Sequence, residues 1–448
     1  MSNTIVKAEV QSAQRFTGQK PALRKPQDFI SRASRRKRWP RIGVEVSNLS
    51  PECHGGCGPV VSPPFSLLGT VLIGIAALAF GACGGGGGSH IASSFFNSHP
   101  FGSANFAAGT RPVAVAIDRS GNVWAANEGS NSVTELKSSG KSTFDNSNTP
   151  GANFNLPDAI AIDADGDVWV VNGGGSATEL TSNGILIGNF APAGANFSNP
   201  VGVAIDASGN VWITNMAGNS VTELNSAGAL LKNINNTNTP AAAFGGPTGI
   251  AIDGPGNVWV GNFSRNSLTK LNSSGAAVAN FNNANTSRAN FSGCAGVAID
   301  ETGDVWTVNS NGNSVTELAS SGTLIGNFAP TKAKFNGPVG IAIDQHGSVF
   351  ITNGSDASIS ELRPTGEARR VFSSSNTFGD PIDRPVDIAI ARDGSLWTAN
   401  QGVAPGHGFI DQIFGGKEGN FFGPAAGPQF FPFGGLNSSS GPQWPAGL

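Results

Sequence analysis

The 448-residue chain has no tyrosine, two methionines, four cysteines and five histidines, and only 13% of its residues are charged. Few histidines leave few groups for acid–base chemistry near neutral pH. The cysteines exclude a disulfide-stapled scaffold, because beyond residue 82 only Cys83 and Cys294 remain. Cys53-His54-Gly-Gly-Cys57 has the look of half a zinc site, but no second ligand pair follows at matched spacing. Positive charge is also scarce once its position is considered. Residues 1–82 hold 11 Lys/Arg and 4 Asp/Glu; subtracting these from the chain's 27 basic and 30 acidic residues leaves 16 and 26, a net of −10. Phosphate contacts need clustered Lys and Arg, so the acidic remainder is not a nucleic-acid binder. Long apolar runs are absent apart from Phe65–Ala82, 18 uncharged and mostly apolar residues.

That run divides the chain. Residues 1–63 are polar and basic, with the run Arg35-Arg36-Lys37-Arg38 and no periodic apolar pattern, and are expected to be disordered. Residues 64–83 read as a signal or membrane-anchor segment. The small pair Gly81-Ala82 before Cys83, then glycines 84–88, resembles a bacterial lipoprotein signal, in which the cysteine becomes the lipidated N-terminus. Phe80 departs from the leucine usual three residues before that cysteine. The alternative is an uncleaved anchor, 18 residues being at the short end for spanning. Either reading puts the rest outside a bacterial cytoplasm, in the periplasm or at the cell surface, tethered to a membrane.

What the chain has in abundance is one sentence, written seven times. Its clearest copy runs from Pro200 to Leu224. Trp124, Trp169, Trp212, Trp259, Trp306, Phe350 and Trp397 mark the copies, at intervals of 45, 43, 47, 47, 44 and 47 residues. Within a copy, Gly202–Ile205, Val211–Thr214, Ser220–Leu224 and Ala229–Asn233 are apolar or alternating runs separated by Gly, Asn and Ser turns. This is strand-and-hairpin chemistry. Four short antiparallel strands repeated seven times specify an all-β chain, a seven-bladed β-propeller over residues 111–415. A linear β-solenoid is the runner-up, disfavoured because solenoid repeats are usually shorter, about 20–29 residues.

The repeated Gly-[Val/Ile]-Ala-Ile-Asp-x-x-Gly-[Asn/Asp]-Val-Trp-x-x-Asn with the following Asn-Ser-Val-Thr-Glu-Leu resembles the NHL repeat. It is also similar to the repeats of streptogramin lyase-like propellers, over Arg111 to Phe414. The resemblance implies the propeller fold. It implies function less directly, because such propellers bind many partners and only some are enzymes.

Residues 84–110 read as a Gly-rich tether and a ring-closing strand. Ile91 to Phe106 resembles the end of a repeat, compared with Leu186 to Phe197, so Ile91–Asn97 is expected to complete the seventh blade. Gly419-Asn-Phe421, in the Pro/Gly-rich tail 416–448, competes for the same place.

Three residue series are candidates for function. Asp118, Asp163, Asp206, Asp253, Asp300 and Asp344 each precede a Gly turn and suit acceptance of backbone N–H groups across it. Asp163-Ala-Asp-Gly-Asp167 has the start of a calcium loop but lacks the later bidentate acid of an EF-hand. Asn127, Asn172, Asn215, Asn262, Asn309, Asn353 and Asn400 end every second strand. Turn capping is the favoured reading, and a ring of amides for a glycan or peptide is the functional one. Streptogramin lyase-like repeats often carry an acid there. Phe154, Phe197, Phe244, Phe291 and Phe335 are expected to pack between blades with the tryptophans.

Catalysis has one weak candidate base, His407 in Pro405-Gly-His-Gly408, and no Ser/His/Asp arrangement. Regucalcin-like lactonases bind a divalent metal through a Glu at the start of the first blade; no copy here begins with Glu. Asp158 and Asp387 are the acids near axis-facing strand starts, where Gly202, Gly249, Gly296 and Gly340 leave room for converging strands. The favoured function is a tethered binding or scaffold module for a protein, peptide or glycan, without cofactor. The alternative is a lyase-like or lactonase-like enzyme at one mouth of the ring, with a divalent metal.

Overall fold

A computed structural model describes residues 101–107, 109–378, 382–402 and 408–414. Seven antiparallel sheets follow one another around an axis. Blade 1 comprises Pro112–Ile117, Val123–Asn127, Ser132–Lys137 and Gly140–Asp145, in that order from the axis outward. Blades 2 to 6 repeat this order, with inner strands at Pro157–Ile162, Pro200–Ile205, Pro247–Ile252, Cys294–Ile299 and Pro338–Ile343. Among the described residues the only helical turns are Pro240–Ala242 and Thr331–Ala333.

Blade 7 is built from both ends of the domain. Pro385–Ile390, Leu396–Asn400 and Phe409–Phe414 supply three strands, and Phe101–Ala107 supplies the outer one. That strand runs antiparallel to Phe409–Phe414 from Gly102↔Phe414 to Ala107↔Phe409. Thr377–Phe378 adds a short parallel pairing on its far side. The expectation that the N-terminal segment closes the ring is met, but at Phe101–Ala107 rather than Ile91–Asn97. Ile91–Asn97 and Gly419–Phe421 lie outside the described residues. The physical reason for the displacement is that apolarity marks outer strands poorly: Ile187 and Leu231 on other outer strands are both 47% exposed. Backbone pairing fixes the register instead, and Phe106↔Ile410 repeats the Phe190↔Ala177 pairing of blade 2.

The core lies between blades. Trp124 packs with Phe154, Ile160, Val168 and Leu180 of the next blade and its approach. Trp169 does the same against Val203 and Ile213, and Trp212 against Ile250 and Phe244. Phe350 meets Ile388 of blade 7, and Trp397 meets Val115 and Val123 of blade 1, which closes the cycle. Each stacked pair is completed by the blade's own outer strand, as in Trp124–Phe144 at 5.7 Å and Trp306–Phe328 at 5.4 Å between ring centroids. Burying such rings dominates the energetics of each junction.

The Asp series organises one end of the first six sheets, and blade 7 has Ala391 at that position. Asp206 Oδ1 accepts the Ser208 and Asn210 amides at 2.8 and 2.9 Å, and its Oδ2 accepts the Trp212 indole N–H at 3.1 Å. Gly209 sits at φ 80°, a conformation that costs other residues more. The same carboxylate therefore shapes the turn and fixes the ring that fills the junction.

At the axis the inner strands nearly touch. A Cβ on Gly249 would lie 2.2 Å from Ala295 O of the next blade, and one on Gly202 2.5 Å from Thr248 O. The expected role of these glycines is thus a steric requirement.

Candidate functional site

Strand direction gives the ring two faces. The Asp turns join first to second strands on one face. The Asn series, the loops after it and the crossings between blades occupy the other. The sequence candidates fall on both.

All seven Asn side chains are fully buried. Their amides are engaged inside the blade. Asn262 Nδ2 donates to Ser267 Oγ at 3.2 Å and Thr269 Oγ1 at 2.9 Å, while its Oδ1 accepts the Gly245 amide at 3.2 Å. Asn127, Asn172, Asn215, Asn309 and Asn353 make the same pair of donations to the Ser and the Thr or Ser of the third strand. Blade 7 has Phe409 and Asp411 there, and Asn400 turns to Thr398 on its own strand.

The residue after each Asn behaves differently. Glu128, Gly173, Met216, Phe263, Ser310, Gly354 and Gln401 each donate the backbone N–H to the residue that precedes the inner strand, at 2.7 to 3.2 Å. All seven acceptors, from Arg111 and Leu156 to Arg384, have φ between 50° and 68°. Left-handed backbone at Arg and Leu carries strain that persists only where the surroundings impose it. The result is an inner ring with one backbone geometry and seven positions filled by six residue types. No sequence signal marked it, because the repeat pattern draws attention to what is constant.

The charged part of this mouth lies at blades 1 and 2. Arg111 bridges Glu128 with Nη2–Oε2 at 3.0 Å and Nη1–Oε1 at 3.2 Å. Burial raises the Glu128 carboxyl above the usual range, and the guanidinium pulls it back down. Asp158 is fully buried beside this pair, and neither carboxyl oxygen has a hydrogen-bond partner. Burial first, then the Glu128 charge, lifts it well above the usual carboxylate range, with Arg111 opposing. Asp387 is elsewhere, at the close-approach position of blade 7, where its Oδ2 accepts the Val115 amide of blade 1 at 2.8 Å. It ties the last blade to the first. The two carboxylate triads that could hold an ion among the described residues contain neither Asp158 nor Asp387.

His407 and Cys83 lie outside the described residues. Gly408, next to His407 in the chain, is described, and a Cβ there would meet Arg111 N at 2.7 Å. The one histidine among the described residues, His346, occupies an Asp turn on the opposite face. Beside the inner ring, a groove of about 410 Å³ runs between blades 3 and 4, lined by Met216, Asn219, Phe244 and Arg265 among others.

Fold and site together define a seven-bladed propeller with a constant frame and a varied mouth. The chain belongs to the virginiamycin B lyase family, whose model matches residues 105–404. Among solved structures it is similar to a streptogramin B lyase, at 17% identity and TM-score 0.57, over 70% of this chain and 97% of that one. A virginiamycin B lyase from Staphylococcus aureus gives 17% and 0.57, over 70% of this chain and 99% of that one. The WD40 propeller domain of Doa1 gives 10% and 0.55, over 73% and 100%. At these identities the likeness is one of fold. No curated protein sequence matches the chain.

Proposed function

We propose that this protein is a membrane-tethered, extracytoplasmic recognition propeller, anchored through Cys83, that binds a protein, peptide or glycan at its Asn-face mouth. One observation carries the reading. The groups repeated in every blade are engaged within the frame, whereas the inner ring from Glu128 to Gln401 keeps one backbone geometry and varies its side chains. Glu128, Phe263, Ser310 and Gln401 of that ring are buried, so the varied surface is Met216 with the loops that flank the ring, and a constant frame with a varied rim suits binding better than one repeated chemistry. The neighbouring groove, with Met216 and Arg265, supplies mixed apolar and cationic contacts.

The lyase reading draws on family membership. A solved relative is a catalytically inactive His-to-Ala variant of the S. aureus enzyme with quinupristin, at 18% identity. Here the described histidine is on the face opposite the mouth. The two readings separate in one experiment. The purified protein is incubated with quinupristin, and the mass spectrum followed for conversion. No conversion is expected, alongside capture of a ligand class on glycan and peptide arrays that Met216→Lys abolishes. Conversion of quinupristin overturns the binding reading. The anchor is tested separately: Cys83→Ala is expected to lose palmitate labelling, and labelling that persists refutes lipidation there.

A further inference from the structure

The Asp face repeats an electrostatic unit of three positions: the first turn residue, the residue four later, and the third-strand residue paired with the marker aromatic. In blade 2 these are Asp163, Asp167 and Glu179, the last paired with Trp169. Most blades neutralise the unit internally. In blades 1 and 3 an Asn replaces the second acid and donates to the first. Lys137 then pairs Glu135 at 2.8 Å, and Lys232 pairs Glu223 at 3.0 Å. Blade 4 puts Lys270 at the third position itself, and blade 6 sets Arg369 and Arg370 against Glu361.

Blades 2 and 5 do neither. Asp163, Asp167 and Glu179, and likewise Asp300, Asp304 and Glu317, each bring a carboxylate oxygen within 4.8 Å of the other two. The ion pairs among the described residues include none of these six. Blade 5 tempers its cluster with donors: the Thr302 hydroxyl lies 3.1 Å from Asp304 Oδ2, and the Trp306 N–H 3.2 Å from Asp300 Oδ2. In blade 2 the residue corresponding to Thr302 is Asp165, so a fourth acid stands where the hydroxyl donor was. Glu179 is 4% exposed, and its Oε2 has no hydrogen-bond partner. Burial, then Asp167 and Asp163, push its carboxyl up to about 7.

We propose that Asp163, Asp167 and Glu179 form a calcium site on blade 2. A buried acid without a donor, facing two more acids and no cation, is stabilised by a bound positive ion. Aspartates alternating with Ala and Gly offer oxygens from one short turn, as calcium loops do. The bidentate acid missing from the linear spacing is supplied across the hairpin by Glu179. Ca²⁺ accepts several carboxylates in flexible geometry, whereas Mg²⁺ demands a regular octahedron and retains its waters.

The test uses the full-length protein in detergent at pH 7.5 and 150 mM salt, stripped with EDTA and titrated calorimetrically with CaCl₂ or MgCl₂. A saturable Ca²⁺ event is expected, with a raised melting temperature and a much weaker Mg²⁺ response. Glu179→Gln should weaken Ca²⁺ binding at least about tenfold, while Glu317→Gln retains it. In EDTA, Glu179→Gln should melt no lower than the wild type, which shows that the variant folds. Absence of any Ca²⁺ response in the wild type overturns the proposal. So does unchanged binding in Glu179→Gln, or equal responses to the two ions.

Discussion

Replacing Asn262 by Ala tests whether the Asn ring belongs to the frame. The side chain is fully buried and holds three partners: Ser267 Oγ, Thr269 Oγ1 and the Gly245 amide. Thr269 survives the loss, because it still donates to Ala242 O at 2.6 Å and accepts from Asn280 Nδ2 at 3.0 Å. Gly245 N–H loses this acceptor, and Ser267 loses one of its donors. Each buried polar group left without a partner costs about 1–3 kcal/mol. Asn262→Ala should therefore cost about 2–4 kcal/mol, a large share of a typical total of about 5–15 kcal/mol. Asn400 offers an internal comparison: its Oδ1 accepts the Asp383 amide at 3.3 Å as Asn262 accepts Gly245, but its Nδ2 donates to Thr398 of its own strand, at 3.1 and 3.3 Å, instead of to the third strand. Asn400→Ala should cost about 1–2 kcal/mol. Urea denaturation followed by tryptophan fluorescence measures both. If Asn262→Ala unfolds within about 0.5 kcal/mol of the wild type, the range expected of surface changes, the amide is not structural and its place in the frame is wrong.

Three further outcomes follow from the geometry. Removing residues 1–97 should leave the melting temperature nearly unchanged, whereas removing 1–107 strips the outer strand from Phe409–Phe414 and should lower it sharply; equal melts for the two truncations would contradict closure by Phe101–Ala107. Gly249→Ala places a Cβ 2.2 Å from a backbone carbonyl that has little room to retreat, so a loss of about 1–3 kcal/mol in the same denaturation assay is expected, and wild-type stability would refute the close approach. Glu317 has its carboxyl raised to about 7 by burial and by Asp300 and Asp304. A raised acid stabilises the fold below its unfolded value near 4.5 and loses that contribution as pH climbs through about 7. In EDTA, the wild type should therefore weaken between those limits and Glu317→Gln should weaken less, by melting temperature against pH; parallel profiles would show that Glu317 does not titrate there.

The sequence by itself determined the repeat and therefore the blades. Strand alternation and Gly turns are local, and a period near 45 residues records them seven times over. It also located Asp206 in its turn and Gly249 at the axis, because a carboxylate two residues from an amide and a missing Cβ act over short range. The closing strand was legible in kind but not in position: Phe101–Ala107 is held by backbone bonds to Phe409–Phe414, some three hundred residues away, and side-chain apolarity scarcely marks it. The site was less legible still. Asp158 and Asp387 looked alike in sequence, yet one is a buried acid beside Glu128 and Arg111, and the other hydrogen-bonds blade 1. The inner ring emerges only when seven loops converge on one axis. The Glu that completes the blade 2 cluster lies 12 residues beyond Asp167, where linear motifs do not look for it. Tertiary structure decided these matters because partners in a propeller meet across hairpins and between blades, at separations that no local spacing encodes.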